Sequence, residues 1–219
     1  MRQTINAQLR NLTINLVRLG LAIDQNWPVF KSSERVIRWQ NFKNIAFTLK
    51  DEPYEKVYEE CKKNRDYNFL LLDGAMIQML YKFDNRDNLI GHILSFYPHY
   101  DFARFQDFPD EYEELFYGTK HFTDILEGKA ITFPLRFDFS QEHTEFIHPM
   151  VHATLGNYRD CRIPISKPVS PYRFISFILR NFYSVKFYNL NLSEEFEDNL
   201  TFDDTITENE KGLLHFTYE

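Results

Sequence analysis

Residues 131–162 read ITFPLRFDFSQEHTEFIHPMVHATLGNYRDCR, and they carry the polar groups around which the rest of the chain is interpreted. Arg136 and Asp138 stand two apart on a predicted strand, so their side chains share one face of a sheet. Three of the seven histidines lie in the same stretch: His143, His148 and His152. Strands are predicted here at residues 129–139, 150–155 and 161–165. The stretch therefore predicts an antiparallel sheet with a polar cluster.

The composition is that of a globular chain rich in aromatic residues. Its 219 residues are enough for one sizeable core, and an aromatic content of 17% supplies large side chains to fill it. Neither a P-loop nor a dinucleotide-binding fingerprint is present. Cys61 and Cys161 are too far apart for a CxxC zinc or redox pair. The chain shows no secretory signal and no run of about 18 apolar residues, so we expect a cytoplasmic protein without membrane contact.

The net charge of -7 is unevenly distributed along the chain. Residues 131–190 contain 7 Lys/Arg against 4 Asp/Glu, whereas residues 191–219 contain 1 against 9. Two interpretations of this acidic tail remain open. It either covers the basic segment and competes with an anionic ligand, or it is solvated surface that ends in a strand at residues 213–218.

Two helices frame the predicted sheet. The first has an apolar face with spacings of three and four residues, formed by Ile5, Leu9, Leu12, Leu16, Leu19 and Ile23, and we expect it to end at Trp27 and Pro28. Ile14, Val17 and Leu21 are expected to broaden that face. A late apolar helix is predicted to begin after Ser170 with a proline in its first turn and to run to about residue 186.

The remaining segments complete the prediction. A further helix is expected after Pro53, and further strands at residues 34–49, 69–72, 75–83 and 89–97. The predicted fold class is α+β, a curved antiparallel sheet with the N-terminal helix and the late apolar helix packed on one face. Residues 1–190 are expected to form a single domain with an irregular insertion at 97–128, followed by an acidic tail at 191–219 with a final strand.

The histidines allow two kinds of site. On a helix, His148 and His152 would lie on one face within reach of one metal ion, whereas on a regular strand they would be about 13 Å apart. No HExxH motif is present, and we expect neither a metal nor another cofactor. In the alternative, histidines act as acid and base on a phosphodiester while an arginine stabilises the developing charge.

Seven residues are candidates for that second chemistry. We predict His148, His152, Arg136 and Asp138 as catalytic residues, and Arg159, Arg162 and Tyr158 as substrate-binding residues. A structural interpretation competes with this one: Arg136 pairs with Asp138 across the sheet, and the histidines cap turns. The concentration of these residues in one segment favours a site.

The order Arg-Phe-Asp, His-Pro-x-x-His, Gly, Pro and an apolar helix resembles a prokaryotic domain-of-unknown-function family. It is also similar to TumE-like toxins of toxin–antitoxin pairs. The resemblance covers residues 80–83 and 131–183, and the chain is longer than those toxins and lacks their denser histidine cluster. The resemblance implies a bacterial toxin-like or defence-associated effector, with RNA as substrate and a protein partner such as an antitoxin. The alternative is a non-catalytic protein-interaction module.

Overall fold

The computed structural model describes residues 1–43, 52–100, 133–156, 158 and 160–218, and it has an α+β fold. The predicted insertion at 97–128 lies almost wholly outside the described residues. The described strands form one open, antiparallel sheet: β1 (Ala22–Gln25), β2 (Pro28–Lys31), β3 (Val36–Trp39), β4 (Phe69–Leu71), β5 (Met76–Phe83), β6 (Leu89–Tyr97), β7 (Leu135–Ser140), β8 (Val151–Leu155) and β9 (Ile163–Pro164).

Helices come before, within and after this sheet in the chain. The described α-helices are α1 (Arg2–Arg18), α2 (Tyr54–Asn64), α3 (Pro171–Phe182), α4 (Ser184–Asn189) and α5 (Leu192–Glu195). The predicted start of α3 is confirmed, because the Ser170 hydroxyl accepts a hydrogen bond from the Arg173 amide and Pro171 opens the helix. None of the described helices has the length and apolar character needed to cross a membrane.

The strand order is β1-β4-β5-β6-β7-β8-β9, and β5 is also paired with β3. The first half of β5 pairs with β4, and its second half pairs with β3, which in turn pairs with β2. The strands β5 to β8 are consecutive antiparallel neighbours, and their register is regular apart from a shift between Lys82 and Phe83 of β5. This central part of the sheet therefore places side chains from four strands in straight rows across each face.

One face of the sheet, here called the helix face, carries Phe137 and Phe139 of β7 and packs against α1 and α3. Ile5, Leu9, Leu12 and Leu16 of α1 are buried in the same cluster as Phe174 and Ile178 of α3, so the prediction that both helices pack on one face is confirmed. Burial of these apolar side chains is the main source of stability for the fold.

The opposite face, here called the polar face, carries Arg136 and Asp138 of β7. At the β4–β5 end it is covered by α2, where the Gln78 amide donates to the Asp66 carbonyl and contacts Cys61. A separate apolar cluster that includes Tyr58, Met76 and Tyr97 lies between α2 and the sheet. The β7–β8 end of the polar face is where the predicted site residues lie.

The predicted N-terminal helix was too long. It ends at Arg18, because Gly20 has a φ of +64° and the Leu21 amide donates to the Leu16 carbonyl, closing the last turn. Ile23 therefore lies in β1, and its side chain is 57% exposed. Ile14 and Val17 are also exposed, so they do not broaden the apolar face as predicted.

The other predicted boundaries differ in smaller ways. Strand β2 was not predicted, and the predicted strands at 34–49 reduce to β3 within the described residues. The late helix breaks at Tyr183, which separates α3 from α4. The final strand is a single parallel bridge between Phe216 and Ile165.

Candidate functional site

The predicted site residues lie on and beside β7 and β8. In the register of these strands Asp138 is directly opposite His152, and Arg136 is directly opposite Thr154. Directly opposed residues of an antiparallel pair project from the same face with their Cβ atoms about 4.5–5.5 Å apart. Arg136, Asp138 and His152 therefore meet on the polar face, whereas Phe137 between them points into the core.

Arg136 and Asp138 form an ion pair along β7. Arg136 Nε is 2.7 Å from Asp138 Oδ2, and both side chains are partly exposed. The terminal nitrogens of the guanidinium make no hydrogen bond to any described residue. A planar guanidinium of this kind binds phosphate oxygens well, because its nitrogens can donate two parallel hydrogen bonds.

His152 is 1% exposed and is fixed by its backbone contact. Its Nδ1–H donates to the Pro149 carbonyl at 2.9 Å, a tautomer assigned from this partner, so the neutral ring has its lone pair at Nε2. Nε2 lies 3.7 Å from Asp138 Oδ2. Burial lowers the pKa of His152, and the Pro149 carbonyl and the Asp138 carboxylate only partly oppose this effect.

His148 ends a turn that lies before β8. Hydrogen bonds in both directions between the backbones of Thr144 and His148 close this turn, and Phe146 within it has a φ of +64°. The ring centroids of His148 and His152 are 4.8 Å apart with an interplanar angle of 69°. His148 is half-buried. The histidine pair thus has one member at the surface and one inside.

The predicted substrate-binding residues are dispersed. Arg162 Nη1 donates to the Ile147 carbonyl at 2.9 Å and thereby supports the turn before His148. The positive charge of Arg162 also contributes to lowering the pKa of His152. Tyr158 is 73% exposed. Arg159 lies outside the described residues. His143 is an exposed residue in the hairpin formed by β7, β8 and the residues 141–150 that connect them.

His92 belongs to the helix face and has a structural role. Its Nδ1 donates to the Phe137 carbonyl at 3.2 Å, and its Nε2 accepts from the Val169 amide at 3.0 Å. Burial lowers the pKa of His92 to about 3, so the ring is neutral near pH 7. His92 thereby connects the sheet to the segment that leads into α3.

Within the described ranges no group of three or more His, Cys, Asp or Glu side chains is arranged to hold a metal ion. A cleft of about 900 Å³ lies on the helix face of the sheet, away from Arg136 and the histidine pair. Phe137, Phe177 and Phe216 line its apolar part, and Arg173 and Arg180 supply positive charge.

The sequence matches the model of a family of uncharacterized conserved proteins, DUF2290, over residues 21–218. The chain belongs to this family. The match begins after α1 and includes all nine described strands, both histidines and the acidic tail. No curated protein and no solved structure matches the chain.

The structure of this DUF2290 protein adds residues that the sequence did not indicate. Ser95 of β6 is directly opposite Arg136 on one side, and Thr154 of β8 is directly opposite it on the other. Both side chains are buried on the polar face. A Ser and a Thr on separate strands carry no recognisable motif, and only the register of three strands brings them to Arg136.

Proposed function

We propose that this DUF2290 protein is a metal-independent ribonuclease and acts as a toxin-like or defence-associated effector in the cytoplasm of a prokaryote. The observation that carries the proposal is the group formed by Arg136, Asp138, His148 and His152. Within it a guanidinium whose terminal nitrogens have no hydrogen-bond partner among the described residues shares one sheet face with a carboxylate and His152, and the ring of His148 contacts that of His152. A proton-accepting histidine and a charge-stabilising arginine can promote phosphodiester cleavage without a metal.

Each residue receives a role from its exposure. His148, half-buried at the surface, accepts the proton of the ribose 2′-hydroxyl, and the 2′-oxygen attacks the phosphorus. Arg136 binds the phosphate oxygens, where negative charge increases in the transition state. The bond from phosphorus to the 5′-oxygen breaks, and that oxygen takes a proton from a water molecule. The resulting hydroxide takes the proton held by His148, which restores the neutral ring. The products are a 2′,3′-cyclic phosphate and a 5′-hydroxyl.

His152 and Asp138 are assigned as positioning residues. His152 is buried too deeply to meet a polynucleotide, but its ring lies against that of His148. Asp138 holds the Arg136 guanidinium through Nε. If His152 acts through His148, His152→Asn changes the pH profile of cleavage, whereas a purely structural role would lower the amount of folded enzyme without moving the profile.

The decisive experiment measures cleavage of a single-stranded RNA in the presence of EDTA. We expect His148→Gln and Arg136→Gln each to reduce the rate at least about 100-fold, the usual lower range for a lost proton-transferring or charge-stabilising group. His143→Gln is the matched control, because His143 is an exposed histidine of the same hairpin. Absence of cleavage, loss of cleavage in EDTA, or full activity of both site variants contradicts the proposal.

The effector role rests on the resemblance to TumE-like toxins and is tested in cells. Expression of the wild-type chain in a bacterium is expected to arrest growth, and Arg136→Gln is expected to abolish the arrest. A protein partner that acts as an antitoxin would restore growth. Equal growth of wild type and variant contradicts the effector role while leaving the ribonuclease assay to be judged separately.

A second candidate function is a non-catalytic protein-interaction module. It is favoured by Phe146 and Ile147, two apolar side chains exposed at the tip of the hairpin, the latter 68% exposed. The tip is held in place, because the Phe146 amide donates to the buried Glu210 carboxylate. If this function is correct, Ile147→Ser prevents binding of a co-purified partner, while His148→Gln has no effect on it.

A further inference from the structure

Three buried side-chain oxygens on the polar face have no hydrogen-bond partner in the described part of the chain: Ser95 Oγ, Thr154 Oγ1 and Gln78 Oε1. They belong to one row of the sheet. Gln78 is opposite Ser95, Ser95 is opposite Arg136, and Arg136 is opposite Thr154. The Arg136 side chain therefore originates between two hydroxyl groups that have no hydrogen-bond partner among the described residues.

Buried polar groups without hydrogen-bond partners lower the stability of the folded protein. A buried hydroxyl that has lost water and gained no partner destabilises the folded protein. Native structures contain few such groups, and those they contain call for a specific explanation. Here two of them are the immediate cross-strand neighbours of one arginine on the polar face. The positive charge of Arg136 between them indicates that an anionic ligand would accept hydrogen bonds from both hydroxyls.

The unsatisfied hydrogen-bonding capacity around Arg136 consists largely of donors. The guanidinium has two terminal nitrogens without a bond to described residues, and Ser95 and Thr154 each have a hydroxyl that rotates freely to donate. On adjacent strands these side chains start about 4.5–5.5 Å from that of Arg136. A group with several acceptor oxygens and a negative charge matches this set, and phosphate is such a group.

We propose that Ser95, Arg136 and Thr154 form a phosphate-binding subsite. In it the terminal nitrogens of Arg136 and both hydroxyls donate to the oxygens of one phosphate group. The subsite deepens the proposed function, on which it rests for the statement that this phosphate is part of RNA. Because the ion pair with Asp138 uses Nε, the terminal nitrogens remain able to bind a phosphate that enters, and this phosphate gives the two buried hydroxyls a partner.

The subsite is tested by titrating the protein with inorganic phosphate in a calorimeter, with chloride at equal ionic strength as the reference. The double variant Ser95→Ala/Thr154→Val keeps the side-chain shapes and removes both hydroxyls. We expect its phosphate Kd to be at least about tenfold higher, because hydrogen bonds to a charged oxygen are stronger than neutral ones. Without phosphate its melting temperature is not expected to fall, since neither hydroxyl has a partner to lose.

Ser166→Ala is the matched control. Its hydroxyl is also buried and without a partner among the described residues, but it lies outside the row of Arg136. We expect its phosphate Kd to stay within about twofold of wild type, well below one factor of ten in affinity. If the double variant does not fold, the single variants Ser95→Ala and Thr154→Val are measured in its place.

Two results overturn the subsite. Either the wild type does not bind phosphate above the chloride reference, or the hydroxyl variants bind it as tightly as wild type. If those variants also melt at a lower temperature, the hydroxyls hold buried water and not phosphate. RNA cleavage is scored separately. Phosphate binding without cleavage removes the ribonuclease and keeps the subsite, whereas cleavage that is unaffected in the hydroxyl variants removes the subsite alone.

Discussion

The two faces of strands β5 to β8 differ in how fully their polar groups are hydrogen-bonded. On the helix face, both nitrogens of His92 are hydrogen-bonded, and the Tyr81 hydroxyl donates to the Val169 carbonyl at 3.1 Å. On the polar face, His152 is equally buried, but among the described residues only its Nδ1 has a hydrogen-bond partner. The polar groups named on the helix face are hydrogen-bonded within the protein, whereas some on the polar face have no partner among the described residues.

This contrast predicts two kinds of mutational effect. A substitution on the helix face removes packing or a satisfied hydrogen bond, so it lowers the free energy of unfolding. A substitution on the polar face removes groups that contribute little to folding, so it changes ligand binding or the pKa of a neighbour. The variants below test the contrast from the largest expected effect to the smallest.

Ile178→Ala is expected to have the largest effect on stability. Ile178 is fully buried in the cluster formed by the sheet, α1 and α3, so the truncation should lower the free energy of unfolding by about 2–5 kcal/mol. Chemical denaturation measures this value. Ile14→Ala, on the exposed side of α1, is the control and should change stability by less than about 0.5 kcal/mol. A loss below about 1 kcal/mol at Ile178 would show that α3 is not part of the core.

His92→Leu is expected to cost nearly as much. It leaves the Val169 amide and the Phe137 carbonyl without their side-chain partner, at about 1–2 kcal/mol for each group, the lower part of the usual range. The expected loss is therefore about 2–4 kcal/mol at pH 7, measured by denaturation. His143→Leu, at an exposed position, is the control. Equal stability of the His92 variant and wild type would mean that the two hydrogen bonds do not stabilise the fold.

The same variant has a pH signature. The pKa of His92 is about 3 in the folded protein and about 6.5 in the unfolded chain, so between these values only the unfolded chain binds the proton. Wild-type stability therefore falls as the pH is lowered from about 6.5 toward 3, and leucine removes this contribution. The stability gap between wild type and His92→Leu should narrow by about 2 kcal/mol from pH 7 to pH 5, at about 1.4 kcal/mol per pH unit. A constant gap would contradict the buried, neutral state of His92.

Features that depend on neighbouring residues in the chain were predicted from the sequence. The alternation Leu-Arg-Phe-Asp-Phe in β7 predicts that Arg136 and Asp138 share a face, and the structure has them 2.7 Å apart. The apolar spacing of α1 and the Ser170 cap of α3 are local signals, and both elements were predicted. The ends of elements were less accurate, as the termination of α1 before Gly20 illustrates.

Long-range relations could not be read from the sequence. His148 lies at the end of a turn before β8, whereas His152 lies on the strand, so neither the helical nor the strand spacing describes the contact between their rings. The positions of Ser95 and Thr154 beside Arg136 depend on the register of three strands, one of which is about 40 residues away in the chain. Burial of His152 is likewise a consequence of packing and not of local pattern.

Asp138→Asn tests the polar face, and its expected effect on stability is smaller than that of the helix-face variants. The Asp138 carboxylate raises the pKa of His152 against the stronger effect of burial, so removing its charge should lower that pKa further. An NMR titration of the histidine rings measures the shift. Stability should fall by no more than about 1 kcal/mol, because the pair with Arg136 is partly exposed. Glu142→Gln, an exposed carboxylate of the same hairpin, should not shift the His152 signal. An unchanged or raised pKa in Asp138→Asn would show that the carboxylate does not act on this ring.

The smallest effect is expected from the acidic tail. Three of its carboxylates contact basic groups on or beside α1 and α3, and a fourth, Glu208, pairs with Lys211 within the tail. Glu195 contacts Arg18, Asp204 contacts Lys167, and Asp198 lies near Arg173. None of the described tail carboxylates pairs with Arg136. Neutralising the exposed Glu194, Glu197 and Asp203 together should therefore leave the phosphate Kd within about twofold at low and at moderate salt, because screened surface charges act weakly over distance. Tighter binding that weakens again as salt is added would instead show that the tail competes with the anion for Arg136.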